Sequence, residues 1–168
     1  MQVRNVHHRV FAVQSLDQVG ELIDSIAGGN DRLWPHEKWP AVRFDRPLGP
    51  GARGGHGLIR YDIAEYQPAN LLRCTFTAPT GLHGYHEWAT RAVPGGYELR
   101  HSLIAKTTGW LVLTWPLIWR PLHDALIEDA LDKAAGQLGI PTARTPWSWY
   151  VRTLRRAAKL SRRTPAEV

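Results

Sequence analysis

The spacing of apolar residues changes along this chain, and these changes predict its structural elements. Residues 6–13 alternate between apolar and polar positions, which predicts a strand with both faces partly covered. A helix is expected next, because Ser15 is a favourable N-cap and the pair Gly28 and Gly29 ends the helical pattern. Its apolar positions recur at helical spacing: Leu16, Val19, Leu22, Ile23 and Ile26.

Five strand-like segments then follow between residues 42 and 107. They are residues 42–47, residues 56–66, the segment around Leu72, Cys74 and Phe76, residues 82–93 and residues 97–107. Turns rich in glycine and proline separate them, at residues 48–55, 67–70 and 94–96. Because no helix lies between these strands, they are expected to pair as an antiparallel meander.

The segment after these strands is predicted to be a long amphipathic helix, which completes the body of the protein. Pro121 suits its first turn, and Gly139 ends it. Residues 110–119 are expected to begin the same helix, with kinks at Pro116 and Pro121. This order of elements predicts an α+β fold, a curved antiparallel sheet of about six strands wrapped on a long C-terminal helix. Such an arrangement tends to leave a hollow of ligand size.

Length and composition agree with a globular domain. The chain has 168 residues, of which 43% are hydrophobic and 21% charged, so wholesale disorder is excluded. Cys74 has no second cysteine to pair with, which favours a reducing cytoplasmic location. The longest apolar run, residues 110–119, is half the length of about 20 residues that a spanning helix needs.

The positive charge is concentrated in the tail. The net charge is +6, and residues 144–163 contain seven Lys or Arg side chains and no acidic one. We therefore expect a domain at residues 1–139 and a basic amphipathic extension at residues 140–168. Its helix is expected to begin with Thr145 as N-cap and Pro146 as first residue.

This extension has two possible interpretations, binding to a partner or packing on the domain. Its apolar side contains Trp147, Tyr150, Val151, Leu154 and Ala158, and the adjacent basic side contains Arg152, Arg155, Arg156, Lys159, Arg162 and Arg163. Such a helix suits an anionic membrane surface, with nucleic acid as the less favoured partner. Packing of the apolar side on the body is the favoured interpretation, because amphipathic helices usually bury their stripe within their own protein.

Several short segments give the chain a resemblance to a known superfamily. They are Val6-His-His-Arg-Val-Phe11, Leu33-Trp-Pro35, Gly54-Gly-His-Gly-Leu-Ile-Arg-Tyr61, Glu65-Tyr-Gln-Pro68, Gly81-Leu-His-Gly-Tyr-His86 and Pro121-Leu-His-Asp-Ala-Leu126. Over residues 1–139 the chain resembles the START-like superfamily, also called SRPBCC, which includes polyketide cyclases, birch-pollen-type allergens and lipid-transfer domains. The resemblance implies a helix-grip fold with a deep, mostly apolar cavity between the sheet and the last helix.

Histidines are the main candidates for polar groups in such a cavity. His101 lies between Leu99 and Leu103 on an apolar face, and His86 shares a face with Trp88. The hairpin register decides whether both histidines point inward, since a slip of one residue exchanges the faces. Inward imidazoles could act as a general base or bond a ligand carbonyl; otherwise they are ordinary core histidines.

The leading hypothesis is binding of a small hydrophobic or aromatic molecule. Tyr61, His86, Trp88 and His101 are expected to contact it. The alternative is a polyketide cyclase-like or dehydratase-like enzyme, with His101 as base and Tyr61 as donor to an enolate. No carboxylate is evidently placed to orient either cavity histidine. A third hypothesis is that the basic extension carries the function, by binding a membrane or nucleic acid.

Neither a metal nor a cofactor is expected. His83 and His86 are three residues apart, which places them on opposite faces of a strand, and the adjacent His7 and His8 diverge in the same way. Zinc needs three or four converging ligands, and Cys74 does not form a metal-binding spacing with the histidines.

Overall fold

The computed structural model describes residues 1–161 and contains, within them, one seven-stranded antiparallel sheet. The strands are β1 (Gln2–Phe11), β2 (Arg43–Phe44), β3 (Arg53–His56), β4 (Ile59–Gln67), β5 (Leu71–Ala78), β6 (Leu82–Val93) and β7 (Gly96–Thr107). Their order across the sheet is β1-β7-β6-β5-β4-β3-β2. The meander is therefore continuous, and β1 joins it beside the last strand.

The helices lie before and after the meander. They are α1 (Leu16–Asp24), α2 (Leu111–Thr114), a π-helical turn (Trp115–Trp119), α3 (Arg120–Gln137) and α4 (Trp149–Ser161). The middle three follow one another without a break, so Pro116 is accommodated by the π-helical turn rather than by ending the helix. The result is an α+β, helix-grip-like fold with a long C-terminal helix, as the sequence predicts.

The first helix begins where the sequence predicts. The Ser15 hydroxyl accepts the backbone N–H of Gln18, and the Gln18 side chain accepts the backbone N–H of Ser15 at 3.3 Å. This capping box fixes the start of α1. Its apolar residues Val19, Leu22 and Ile23 are fully buried against the sheet.

The sheet has one strand more than the six segments that the sequence pattern distinguishes, and the difference lies at the glycine-rich segment. Residues 48–55 are not only a turn, because β3 begins at Arg53, and the predicted strand 56–66 is divided between β3 and β4. Gly57 adopts a φ of 55°, which allows the chain to reverse there. A Cβ on Gly54 would lie 2.1 Å from the carbonyl oxygen of Arg43, so β2 and β3 approach too closely for any larger residue.

The buried apolar side chains of the described residues form two clusters. The larger one joins α1, α3 and the connector between α1 and β2 (residues 25–42), and includes Phe11, Leu33 and Leu131. The smaller one lies at the other end of the sheet, around Leu103, Leu111 and Trp115. A cavity whose walls contain members of both clusters lies between them.

The extension after α3 packs on the body, and its helix begins later than predicted. Ser148, rather than Thr145, caps α4, because its hydroxyl accepts the backbone N–H of Val151 at 3.2 Å. Val151 is 5% exposed, so the apolar side of α4 is partly buried. Arg162 and Arg163 of the predicted basic face lie outside the described residues. The division at residues 139 and 140 stays a prediction.

Candidate functional site

A cavity of about 500 Å³ lies between the sheet, the connector before β2, the long helix and α4. Its walls are largely apolar. The lining residues that matter below are Lys38, His56, His86, His101, His123 and Arg155. The volume falls in the range of about 300–1,000 Å³ that is typical of ligand pockets.

The hairpin of β6 and β7 places both predicted histidines on the inner face. His86 pairs with Leu103, and Trp88 pairs with His101, so the four side chains share one side of the sheet. Nδ1 of His86 lies 3.4 Å from Nε2 of His101. The register that the sequence left open is therefore the one that brings the two imidazoles together.

Aromatic rings surround this histidine pair. Phe76 stacks on the His86 ring at 5.1 Å between centroids, and Trp88 meets the His101 ring edge-on at 4.8 Å. The His123 ring, from α3, lies 5.0 Å from the His101 ring. Sheet and helix thus contribute imidazoles to the same part of the cavity.

These imidazoles are neutral at physiological pH. Burial lowers the pKa of His86 and that of His123 to about 3, with a smaller contribution from neighbouring histidines. Burial also lowers the pKa of His56 to about 4, and that of His101 well below its ordinary value. A neutral imidazole offers one donor and one acceptor, so the cavity can bond a ligand hydroxyl or carbonyl without itself carrying charge there.

Three of these histidines also have a ring nitrogen that lacks a hydrogen-bond partner within the described residues. The nitrogens are Nε2 of His86, Nδ1 of His101 and Nδ1 of His123. A buried polar atom without a partner costs about 1–3 kcal/mol. All three nitrogens are buried, so they do not face the open space of the cavity.

Tyr61 and Trp88 occupy a different place from the predicted one. Both line a separate void of about 10 Å³, which they share with His86, and neither is part of the wall of the large cavity. The Tyr61 ring meets the His86 ring edge-on at 4.6 Å. These two rings thus pack against the histidines, outside the wall of the large cavity.

The sequence interpretation did not select His123 or His56 for the site. His123 lies four residues after Trp119 and four before Ile127, and all three line the cavity. This helical spacing is the signal that could have identified it. His56 ends β3 immediately before the turn at Gly57, so its position depended on a strand boundary that the sequence pattern did not resolve.

The carboxylates near the histidines contact His7 rather than the cavity pair. Nδ1 of His7 lies 2.7 Å from Glu128, and Nε2 lies 3.1 Å from Asp124. Burial alone would lower the pKa of His7, but the hydrogen bonds and charges of Asp124 and Glu128 outweigh burial and raise it. His7 is thus held between two carboxylates that favour its protonated form.

One histidine and carboxylate group has atoms close enough to be considered for a metal. Possible ligand atoms of His7, His123 and Asp124 lie within 4.8 Å of one another. Because both nitrogens of His7 already contact carboxylates, an ion-pair network accounts for this arrangement. The expectation that the protein binds no metal stays a prediction.

The wall formed by α4 is fixed to the body through Asp129. Trp39 and Trp147 each donate an indole N–H to the same carboxylate oxygen of Asp129, both at 2.8 Å. Lys38 forms an ion pair with the other oxygen of this buried carboxylate. The guanidinium of Arg155 lies over the Trp39 and Trp147 rings, at 3.9 and 4.2 Å from their centroids.

Comparisons with known proteins support the fold. No protein-family model matches the sequence, and no curated protein matches it. Among solved structures, CalU16 from Micromonospora echinospora is similar at 14% identity and a TM-score of 0.56, over 95% of this chain and 85% of that chain. Ara h 8.0201 is similar at 13% identity and a TM-score of 0.54, over 81% of this chain and 99% of that one.

A third solved structure is the di-domain ARO/CYC protein StfQ of the steffimycin biosynthetic pathway. It is similar at 13% identity and a TM-score of 0.61, over 82% of this chain and 51% of that chain. This chain therefore spans about half of StfQ. At these identities the comparisons establish a shared helix-grip-like architecture. Separately, no helix within residues 1–161 combines the length and hydropathy needed to cross a bilayer.

Proposed function

We propose that this protein binds a small hydrophobic or aromatic molecule in the cavity between the sheet, the long helix and α4. The observation that carries the proposal is a cavity of about 500 Å³ whose largely apolar walls contain four neutral imidazoles. Apolar walls with a few convergent polar groups are typical of ligand sites. The similarity to Ara h 8.0201 and StfQ supports placing the chain in the START-like superfamily.

A fluorescence titration tests this proposal. The neutral apolar dye N-phenyl-1-naphthylamine should bind the purified protein, and native mass spectrometry should show any small molecule that co-purifies. Leu122→Trp fills space at the cavity wall and should weaken dye binding at least about tenfold, or about 1.4 kcal/mol. Leu113→Trp adds the same ring at a position that is 60% exposed and outside the wall, and should leave binding unchanged.

The proposal is contradicted if the dye does not bind the wild-type protein and no small molecule co-purifies with it. Equal dye affinities of the wild type and Leu122→Trp would also contradict it, because binding would then lie outside the cavity. The cytoplasmic location expected from Cys74 stays a prediction.

A cyclase-like or dehydratase-like reaction remains the alternative function. His101 would be its base and Tyr61 its donor. Burial lowers the pKa of His101, which weakens it as a base, and Tyr61 lies outside the cavity wall. We therefore propose ligand binding, in preference to catalysis, as the function of the cavity. Turnover of a polyketide-like substrate that disappears in a folded His101→Ala variant would favour the enzyme instead.

A membrane surface is a second candidate partner, favoured by an exposed apolar patch. The patch consists of four side chains with 60–81% exposure: Trp110, Leu113, Leu117 and Trp149. The Tyr150 hydroxyl donates to the carbonyl of Leu117 at 2.6 Å and so joins α4 to the π-helical turn beside this patch. Exposed tryptophans and leucines next to cationic residues suit the interface of an anionic bilayer.

Cationic side chains lie beside this patch, on the part of the chain that the structure describes. Arg120, Arg152 and Arg156 are exposed there. Co-sedimentation with vesicles containing phosphatidylglycerol, and with purely phosphatidylcholine vesicles, tests this candidate. The protein should bind the anionic vesicles, and the double variant Trp110→Ser/Leu117→Ser should lose at least about fivefold in affinity, since two exposed apolar side chains are removed.

Val10→Ser is the control, because Val10 is an exposed apolar residue on β1. Unchanged vesicle binding by the double variant, or a loss of equal size in Val10→Ser, would contradict this role of the patch. Binding to DNA rather than to vesicles would favour nucleic acid as the partner.

A further inference from the structure

The cavity wall contains positive charge without a compensating acid. Among the described residues that line it, Lys38 and Arg155 are cationic, and no aspartate or glutamate is present. The lining histidines are neutral, because burial lowers their pKa values. The balance of charge on the wall is therefore set by Lys38 and Arg155.

Lys38 is already neutralised. Its ammonium forms an ion pair with Asp129, whose side chain is 2% exposed. The second oxygen of Asp129 accepts the indole N–H groups of Trp39 and Trp147. Both carboxylate oxygens are thus in use, and the charge of Asp129 is balanced by Lys38.

Arg155 has no such partner in the part of the chain that the structure describes. Its guanidinium donates to the backbone carbonyl of Lys38, and no carboxylate of residues 1–158 lies within 4.0 Å of it. The rings of Trp39 and Trp147 hold the guanidinium in place. Burial lowers the pKa of Arg155, partly opposed by Asp129, but arginine stays protonated at neutral pH.

We infer that the ligand of this cavity carries one anionic group, a carboxylate, sulfonate or phosphate, which binds the Arg155 guanidinium. This inference rests on the proposed ligand-binding function and names the ligand class more closely. A planar guanidinium presents paired N–H donors that match such anions. Because Arg155 is half-buried between indole rings, its charge is less screened by water than that of a surface arginine.

The same geometry describes the rest of the ligand. The remaining walls are mostly apolar, and the imidazoles of four lining histidines add neutral polar groups to them. A matching molecule has an apolar, ring-containing body with its anionic group at the end near α4. A hydroxyl or carbonyl toward the sheet would meet the histidines.

Two dyes with the same ring skeleton test the inference. N-phenyl-1-naphthylamine is neutral, whereas 8-anilinonaphthalene-1-sulfonate adds one sulfonate to that skeleton. The wild-type protein should bind the sulfonate dye at least about tenfold more tightly than the neutral dye, as expected for a partly desolvated charged hydrogen bond. Raising the salt concentration should reduce this preference.

Variants of two neighbouring arginines separate a local contact from a general charge effect. Arg155→Gln should lower the affinity for the sulfonate dye to that for the neutral dye, and should leave the neutral dye within about twofold, since the apolar wall is retained. Arg155→Lys should keep part of the preference. Arg156→Gln removes the same charge from an exposed position and should leave both affinities unchanged.

The outcomes are distinct. Equal binding of the two dyes by the wild type, an equal loss of sulfonate binding in Arg155→Gln and Arg156→Gln, or a parallel loss of both dyes in Arg155→Gln would each overturn the anion inference while the binding function stands. If neither dye binds the wild type, the proposed function fails together with it.

Discussion

At the scale of single residues, neighbours give the cavity histidines and His7 opposite protonation behaviour. His86, His101 and His123 are surrounded by aromatic rings and by one another, so burial lowers their pKa values. His7 is also partly buried, but Asp124 and Glu128 contact both of its nitrogens and raise its pKa. Sequence spacing put each of these two cavity histidines of the hairpin on an apolar strand face but left the hairpin register open. It also could not show which histidine would meet carboxylates from α3.

This contrast predicts a loss of stability in mild acid. The pKa of His123 is about 3 in the folded state and about 6.5 in the unfolded chain. Below pH 6.5 the unfolded chain therefore binds a proton that the folded protein does not, and the free energy of unfolding falls until the folded pKa is reached. Between pH 7 and pH 5 this amounts to about 2 kcal/mol for His123.

His7 acts in the opposite direction. Because its folded pKa is raised, its contribution to stability is complete below pH 6.5 and is lost as the pH rises through the folded pKa. Urea unfolding at pH 7 and pH 5 measures the balance. His123→Gln should reduce the difference in stability between the two pH values by about 2 kcal/mol. His8→Gln, on the exposed face of β1, should not change it, and equal effects of the two variants would contradict the assignment.

At the scale of elements, α4 differs from a free basic tail, because it forms part of the cavity wall. Trp147 is bonded to Asp129 of α3, and Arg155 contacts Trp39 of the connector. The amphipathic pattern of the extension correctly predicted that its apolar side packs on the rest of the protein. It could not identify the bonding partners, which lie 18 residues from Trp147 and more than 100 residues from Arg155 along the chain. Local periodicity carries no information on such pairs.

Deletion of residues 144–168 tests the role of this element. The deletion exposes the surface covered by Val151 and removes the Trp147 hydrogen bond to Asp129, so the free energy of unfolding in urea should fall by about 2–4 kcal/mol. The affinity for N-phenyl-1-naphthylamine should fall as well, because the deletion opens the side of the cavity that the extension covers. A truncated protein with unchanged stability and dye binding would show that the extension is independent of the body.

At the scale of the whole molecule, the order of elements could be predicted from the sequence, but the depth of each side chain could not. Strand alternation assigned Tyr61 and Trp88 to the inner face, and both are buried there. Alternation does not distinguish a residue on the cavity wall from one packed beneath it, and these two pack beneath it. The extra strand β3 escaped prediction because a run of glycines usually indicates a turn, whereas here it permits close approach of strands.

The shared acceptor at Asp129 gives the protein a natural spectroscopic reporter. Trp39 of the connector and Trp147 of the extension donate their indole protons to one oxygen, each at 2.8 Å. Hydrogen bonding to a carboxylate shifts an indole proton resonance downfield. Two resonances in a nitrogen-proton correlation spectrum therefore follow the seating of α4, and the indole signals of the exposed Trp110 and Trp149 provide an internal reference in the same sample.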